Sequence, residues 1–143
     1  MKYKRWFLVV MCFLLVLTGI MATIHIRIRD DVPKDSILVK QNEESRYVAV
    51  GTLILKEVTG SIVNGKGEET AIHGQGIGLG SLSTEDYQHI VVTADDEYSA
   101  TVLVEEVEAA YLLMHDDGSV QLVVFGDSDS KRAVRNVTQI LFE

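Results

Sequence analysis

The chain has 143 residues, 13 Lys+Arg against 21 Asp+Glu for a net charge of −8, 47% hydrophobic residues and a single cysteine. Such a length allows one ordinary domain and excludes a multidomain enzyme. One cysteine excludes a disulfide framework and a cysteine-based structural zinc site, and the acidic balance excludes nucleic acid as a partner, since phosphates need a basic face.

The charge is unevenly spread. Residues 1–29 hold five of the basic residues and no acid, so residues 30–143 carry 8 basic against 21 acidic residues, a net −13. Within the first part, Trp6 to Ile24 form a run of 19 residues without a charge. As a helix at about 1.5 Å per residue it spans roughly 28 Å, the thickness of a hydrocarbon core. It is apolar on every side, unlike an amphipathic surface helix. Lys2, Lys4 and Arg5 precede it, and Trp6 stands where an interfacial aromatic belongs. By the positive-inside rule the N-terminus faces the cytoplasm and the remainder is extracytoplasmic. A cleaved leader would need small residues at A-x-A spacing, but Ala22 pairs with Ile20. The expected organisation is a cytoplasmic stub at 1–5, a transmembrane signal anchor at 6–26 that spans the lipid bilayer, a linker at 27–36 and an extracytoplasmic domain at 37–143. Cys12 reads as a small apolar residue of the anchor. The location is a cell membrane, crossed once.

The linker holds the only proline, in DDVPKDS at 30–36. Beyond it, short Val/Ile/Leu/Thr runs alternate with polar or glycine breaks, which predicts strands. They fall at Ser36–Lys40, at Tyr47–Lys56 with a bulge at Gly51, and at Val58–Val63 with a hairpin turn at Asn64-Gly65. His89–Ala94 and Ser99–Val104 flank a tight Asp95-Asp96-Glu97 turn, and Val104–Ala109 reads as a helical turn. Ala110–His115 and Val120–Phe125 flank an Asp117-Gly118 turn, and Ala133–Phe142 is the last strand. The fold class is therefore α+β: one β-rich domain after a single transmembrane helix. Its core is expected from Val50, Leu53, Leu55, Ile90, Val92, Val102, Leu112, Leu122, Val124, Val137 and Ile140.

Few motifs carry chemistry. His73 to Gly80 places glycine at every second position, but Leu79 occupies the third-glycine position of a dinucleotide-binding loop, so the run reads as a glycine-rich turn with close backbone packing. Asp127-Ser128-Asp129-Ser130 opens like a calcium loop, yet Lys131 and Arg132 stand where the ligand and glycine belong. His25, His73, His89 and His115 lack metal-ligand spacing, so no metal site is expected. The acids Glu105, Glu106 and Glu108 read as a solvated face, and Asn136-Val137-Thr138 is formally a glycosylation sequon.

Residues 76–142 resemble the later part of the molybdopterin-binding domain of sulfite-oxidase-type oxidoreductases. Gly76-Ile77-Gly78-Leu79-Gly80-Ser81-Leu82 is similar to that family's G-x-P-L-x-D-L-L segment. Val91 to Ala100 is similar to its V-x-A-x-D-G-Y-S strand–turn–strand, with Glu97 in place of the turn glycine. Ala110-Tyr111-Leu112-Leu113 stands where the family reads L-A-Y. Val120 to Asp127 resembles P-L-R-L-V-V-P-G with Phe125 for proline, and Lys131 to Val137 resembles the basic K-W-V-K approach to the last strand with Ala133 for tryptophan. The resemblance implies a shortened form of that fold. The family's molybdenum is held by a cysteine upstream of the glycine segment, whereas residues 47–75 contain none. Of the cofactor-facing positions the resemblance implies, only Lys131, Arg132 and Arg135 could still meet an anion. They also suffice to balance Asp127 and Asp129 at a strand end.

The expected function is a membrane-anchored, non-catalytic binding or interaction module with a protein partner at the membrane, carrying no cofactor. One alternative is an accessory subunit of a membrane redox or transport complex. The other is an oxidoreductase that retains molybdopterin. No catalytic residue is singled out, and expectation leans away from an enzyme.

Overall fold

The computed structural model describes the backbone of residues 2–30 and 35–143, with side chains over 2–24 and 35–143. Two units result, divided after Pro33. The first is a single helix, α1 (Lys2–Asp30). Its stretch Lys2–Ile24 is long and apolar enough to cross a membrane, and none of it is buried. Helical backbone continues through Arg27–Asp30, which the sequence assigns to the linker. Nothing there breaks a helix, since the only proline lies further on. The remainder of the expected linker at 31–34 lies outside the described residues.

The second unit is β-rich. Its strands are β1 (Ser36–Gln41), β2 (Glu44–Ala49), β3 (Lys56–Val63), β4 (Glu69–Gly78), β5 (His89–Ala94), β6 (Ser99–Leu103), β7 (Ala110–Met114), β8 (Val120–Val124) and β9 (Val137–Phe142). A five-stranded sheet has the order β2-β1-β9-β5-β6, and a four-stranded sheet has the order β3-β4-β7-β8. All pairings are antiparallel except β1 with β9, where the first and last strands of the unit run side by side.

Alternation explains how the sheets meet. In β1 and β5 every second residue is buried, namely Ile37 and Val39, then Ile90, Val92 and Ala94. These side chains, with Val102, Val137, Ile140 and Phe142, face Ile77, Ala110, Leu112, Val120, Leu122 and Val124 of the second sheet in one core. A smaller cluster of Val58, Leu113 and Val123 lies on the opposite face of that second sheet, since Leu113 and Val123 alternate with Leu112 and Leu122. Ile62, Ile72, Tyr111 and Phe125 pack around it. The β3–β4 hairpin bends over this face closely enough that a Cβ on Gly60 would lie 2.6 Å from the Phe125 ring.

Several expectations need correction. The last strand, expected over Ala133–Phe142, is shorter, β9 beginning at Val137 after the left-handed Asn136 at φ 54°. Tyr47–Lys56 is two strands of different sheets, because a 3-10 turn at Val50–Thr52 carries the chain from one sheet to the other. Gly51 sits at that change of sheet and forms no bulge. Leu55 is accordingly outside the core, at 36% exposure, whereas Val50 and Leu53 pack against it. The hairpin after β3 turns through five residues, closed by Asn64 N–H to Glu68 O (2.8 Å). Asn64 Oδ1 accepts from the Lys66 and Glu68 amides, and the left-handed glycine is Gly67, φ 79°, not Gly65. Finally, the glycine run is no turn: His73–Gly78 completes β4 and Leu79–Leu82 forms a 3-10 turn. Close packing does hold at Gly76, where a Cβ would come within 2.2 Å of Leu112 O.

Candidate functional site

The basic residues Lys131, Arg132 and Arg135 lie on the connection between β8 and β9, and the fold gives them three different surroundings. Arg132 is only 22% exposed and is gripped from two sides. Its Nε donates to Asp127 Oδ2 (2.9 Å) and its Nη2 to Asp127 Oδ1. Nη1 donates to Glu106 Oε2 (2.7 Å) and Nη2 also to Glu106 Oε1 (3.2 Å). Glu106 accepts in addition from the Leu103 amide (3.2 Å), which fixes the start of the 3-10 turn Val104–Ala109. These bonds hold the Glu106 carboxyl below the usual carboxylate range and raise the already high pKa of Arg132. A guanidinium with both edges on carboxylates has little donor capacity left for an external anion. Arg132 therefore braces the β8–β9 connection against the β6–β7 connection.

Lys131 is exposed, its Nζ 3.9 Å from Asp129 Oδ2. Its carbonyl accepts the Tyr98 hydroxyl (2.6 Å), and its amide donates to Asp129 Oδ1 (2.9 Å). The Asp127–Ser130 stretch thus uses its carboxylates on Arg132 and on its own backbone. Among the described residues no three His, Cys, Asp or Glu side chains converge as metal ligands.

Arg135 belongs to a different feature, an open cleft of about 600 Å³ lined by His115, Asp116, Asp117, Ser119, Gln121, Arg135 and Asn136. The expected Asp117-Gly118 turn builds one wall. His115 N–H bonds to Ser119 O and Gly118 N–H to His115 O, both at 2.9 Å, with Gly118 at φ 84°. The Ser119 hydroxyl (2.6 Å) and amide (2.9 Å) both donate to Asp117 Oδ1 and hold that carboxyl below its ordinary range. His115 Nε2 lies 2.9 Å from Gln121 Oε1 on the floor. The opposite wall is Arg135 and Asn136, the latter left-handed at φ 54°, its carbonyl accepting from the Asp95 amide (3.1 Å). Among the described residues Arg135 has no carboxylate within ion-pair distance. A recess of about 190 Å³ shares Ser119 and Asn136 with the cleft and reaches Asp35 and Val50.

The cleft therefore offers Arg135, a cation with no carboxylate partner among the described residues, the carboxylates of Asp116 and Asp117, and amide and hydroxyl groups on hydrogen-bonded turns. Mixed polarity of this kind suits the donors, acceptors and charges of a polypeptide segment. His73 and His89 lie elsewhere, against Glu57 (3.2 Å) and Glu143 (2.9 Å); the His25 side chain is outside the described residues.

Sequence reasoning passed over two buried polar residues. Gln41 donates to Ser83 Oγ (3.0 Å) and Glu85 O (2.9 Å), and accepts from the Thr84 amide (2.9 Å), so one amide holds the 83–85 segment on β1. Gln121 fixes His115 from below. Gln121 is the lone polar residue of the apolar run Val120–Phe125, a signal that marks it, and Gln41 takes the next inward position after Ile37 and Val39. Compared with models of known protein families and with curated proteins, the chain finds no match.

Proposed function

We propose that the protein is a single-pass membrane protein that holds a β-rich binding domain on the extracytoplasmic side and engages a protein partner there. The observation that carries this reading is α1: a helix whose Lys2–Ile24 stretch is apolar and entirely unburied, joined to a separate folded unit. Twenty-three residues of uncovered apolar helix call for an apolar solvent, and a bilayer supplies it at the matching length. Lys2, Lys4 and Arg5 before the apolar run favour a cytoplasmic N-terminus. The folded unit, part of a region with net charge −13, then faces the outside.

The partner site in this reading is the His115–Arg135 cleft. It is open and of mixed charge, and it shares Ser119 and Asn136 with a smaller recess that Asp35 lines. The second reading is an accessory subunit of a membrane redox or transport complex, which the same apolar helix would hold beside its partner in the bilayer. The resemblance to molybdopterin domains enters as one of framework, without the cofactor, since Lys131, Arg132 and Arg135 serve three separate surroundings. Elemental analysis of the purified chain is expected to find no molybdenum; a stoichiometric amount would overturn the cofactor-free reading.

The test of the partner site is a photo-crosslinking residue at Ser119 in the full chain, in native membranes. A discrete adduct that disappears with Arg135→Glu is expected. No adduct, or one indifferent to that substitution, would contradict the assignment.

A further inference from the structure

Gly80 permits a second close approach in the glycine run, besides the one at Gly76. A Cβ on Gly80 would lie 2.8 Å from the Tyr87 hydroxyl and 3.0 Å from Val107 Cγ2. With no side chain there, the 3-10 turn Leu79–Leu82 closes on the 3-10 turn Val104–Ala109, and Tyr87 Oη stands at the junction. Beside it lies a recess of about 240 Å³ whose lining includes Gly78, Gly80, Tyr87, Glu108 and Tyr111. It shares no lining residue with the His115–Arg135 cleft.

Two aromatic pairs hold the rings of this recess. Tyr87 meets Phe142 edge-on with centroids 5.0 Å apart, and Tyr111 meets Phe125 at 5.5 Å. Among the described residues neither tyrosine hydroxyl makes a hydrogen bond, and Glu108 forms no ion pair. Glu108 faces Tyr87: partial burial, and then the charge of that carboxylate, push the Tyr87 phenol above the usual tyrosine range. Ser81, also on the lining, commits its hydroxyl to Gly78 O (2.6 Å). The polar side chains left to meet a ligand are two phenols and one carboxylate, and no Lys, Arg or His lines the recess.

Such a set suits a cation. Ring faces attract an ammonium, and phenol and carboxylate oxygens accept its N–H bonds. Rings already held by their neighbours lose little freedom on binding. An anion would meet the Glu108 charge with no lining cation to offset it, and the small volume admits a single head group. We infer that the Tyr87–Glu108–Tyr111 recess is a binding site for a primary alkylammonium group, carried by a lysine side chain or by a free amine.

The test uses the full chain in detergent micelles, with isotope-labelled tyrosine rings observed by NMR during titration with n-butylammonium. The Tyr87 and Tyr111 signals should shift saturably while those of Tyr47 and Tyr98 stay in place. n-Butanol, of similar shape without the charge, should move none of them. Glu108→Gln, at an exposed position, should weaken binding about fivefold. Tyr87→Phe, which keeps the ring packing, should also weaken it, with Tyr111 as the readout. A capped lysine amide distinguishes the two sources: tighter binding than n-butylammonium assigns a polypeptide, weaker binding a small amine. Unmoved Tyr87 and Tyr111 signals, shifts spread over every tyrosine, an equal response to n-butanol, or an affinity indifferent to Glu108→Gln would each overturn the inference.

Discussion

Arg132 shows how a residue's role depends on what the fold brings to it. In sequence it is one of three clustered cations beside two aspartates, equally suited to an anion site or to local charge balance. Its neighbour Asp127 could be guessed from proximity; Glu106, 26 positions away, could not. Only the folding of the β6–β7 connection onto the β8–β9 connection makes the guanidinium a brace. Charge-assisted bidentate bonds at partly shielded positions predict that Arg132→Ala costs about 2 kcal/mol in chemical denaturation. The pH dependence follows from Glu106. Its carboxyl is held below the unfolded value, so the folded state binds its proton less readily. The brace therefore contributes fully above the ordinary carboxylate range and is lost as pH falls through the lowered folded value. Stability should drop more steeply between about pH 5 and 3 in the native chain than in Arg132→Ala. Equal slopes would show that Glu106 is not held by this pair.

At the scale of elements, the sequence was legible wherever structure is local. β5, β6 and the 3-10 turn at Val104–Ala109 follow from strict alternation and an acidic turn between flanking strands. Glu97 at φ 69° keeps that turn tight. What it could not reveal was a change of sheet. Tyr47–Lys56 is continuously β-like, and only the competing partners β1 and β4 divide it. The glycine run departs from a turn for a related reason: glycine signals a turn locally, but here Gly76 admits the backbone of a neighbouring strand. Leu79, fully buried, was hidden inside that run. A pair of substitutions separates the two meanings of glycine. Gly76→Ala places a Cβ 2.2 Å from Leu112 O and is expected to cost about 3 kcal/mol, because backbone must move. Gly74→Ala, on the same strand with nothing within 4 Å, should be neutral or stabilise by up to about 1 kcal/mol. Equal effects in thermal unfolding would refute the close-approach account.

For the whole molecule, the opening composition proves to be an average over two unlike parts. The basic, apolar helix and the acidic β unit are distinct in charge and in fold. That division is readable because a helix long and apolar enough to cross a membrane is a matter of run length, whereas the cleft depends on residues 115–121 meeting 135–136 across two turns. Residues 35–143 made alone should be soluble, with one cooperative unfolding transition, as a closed core between two sheets implies. Aggregation, or a non-cooperative melt, would mean that the unit depends on the anchor.

The central claim is the anchored topology, and protease protection tests it most directly. The full chain, tagged at its C-terminus and kept in intact cells, is exposed to a protease that cannot cross the membrane. The account predicts that the C-terminal tag is removed from the outside while a membrane-bound helical remnant survives and resists extraction by alkaline carbonate. A tag protected until the membrane is permeabilised, or a chain released by carbonate, would contradict it.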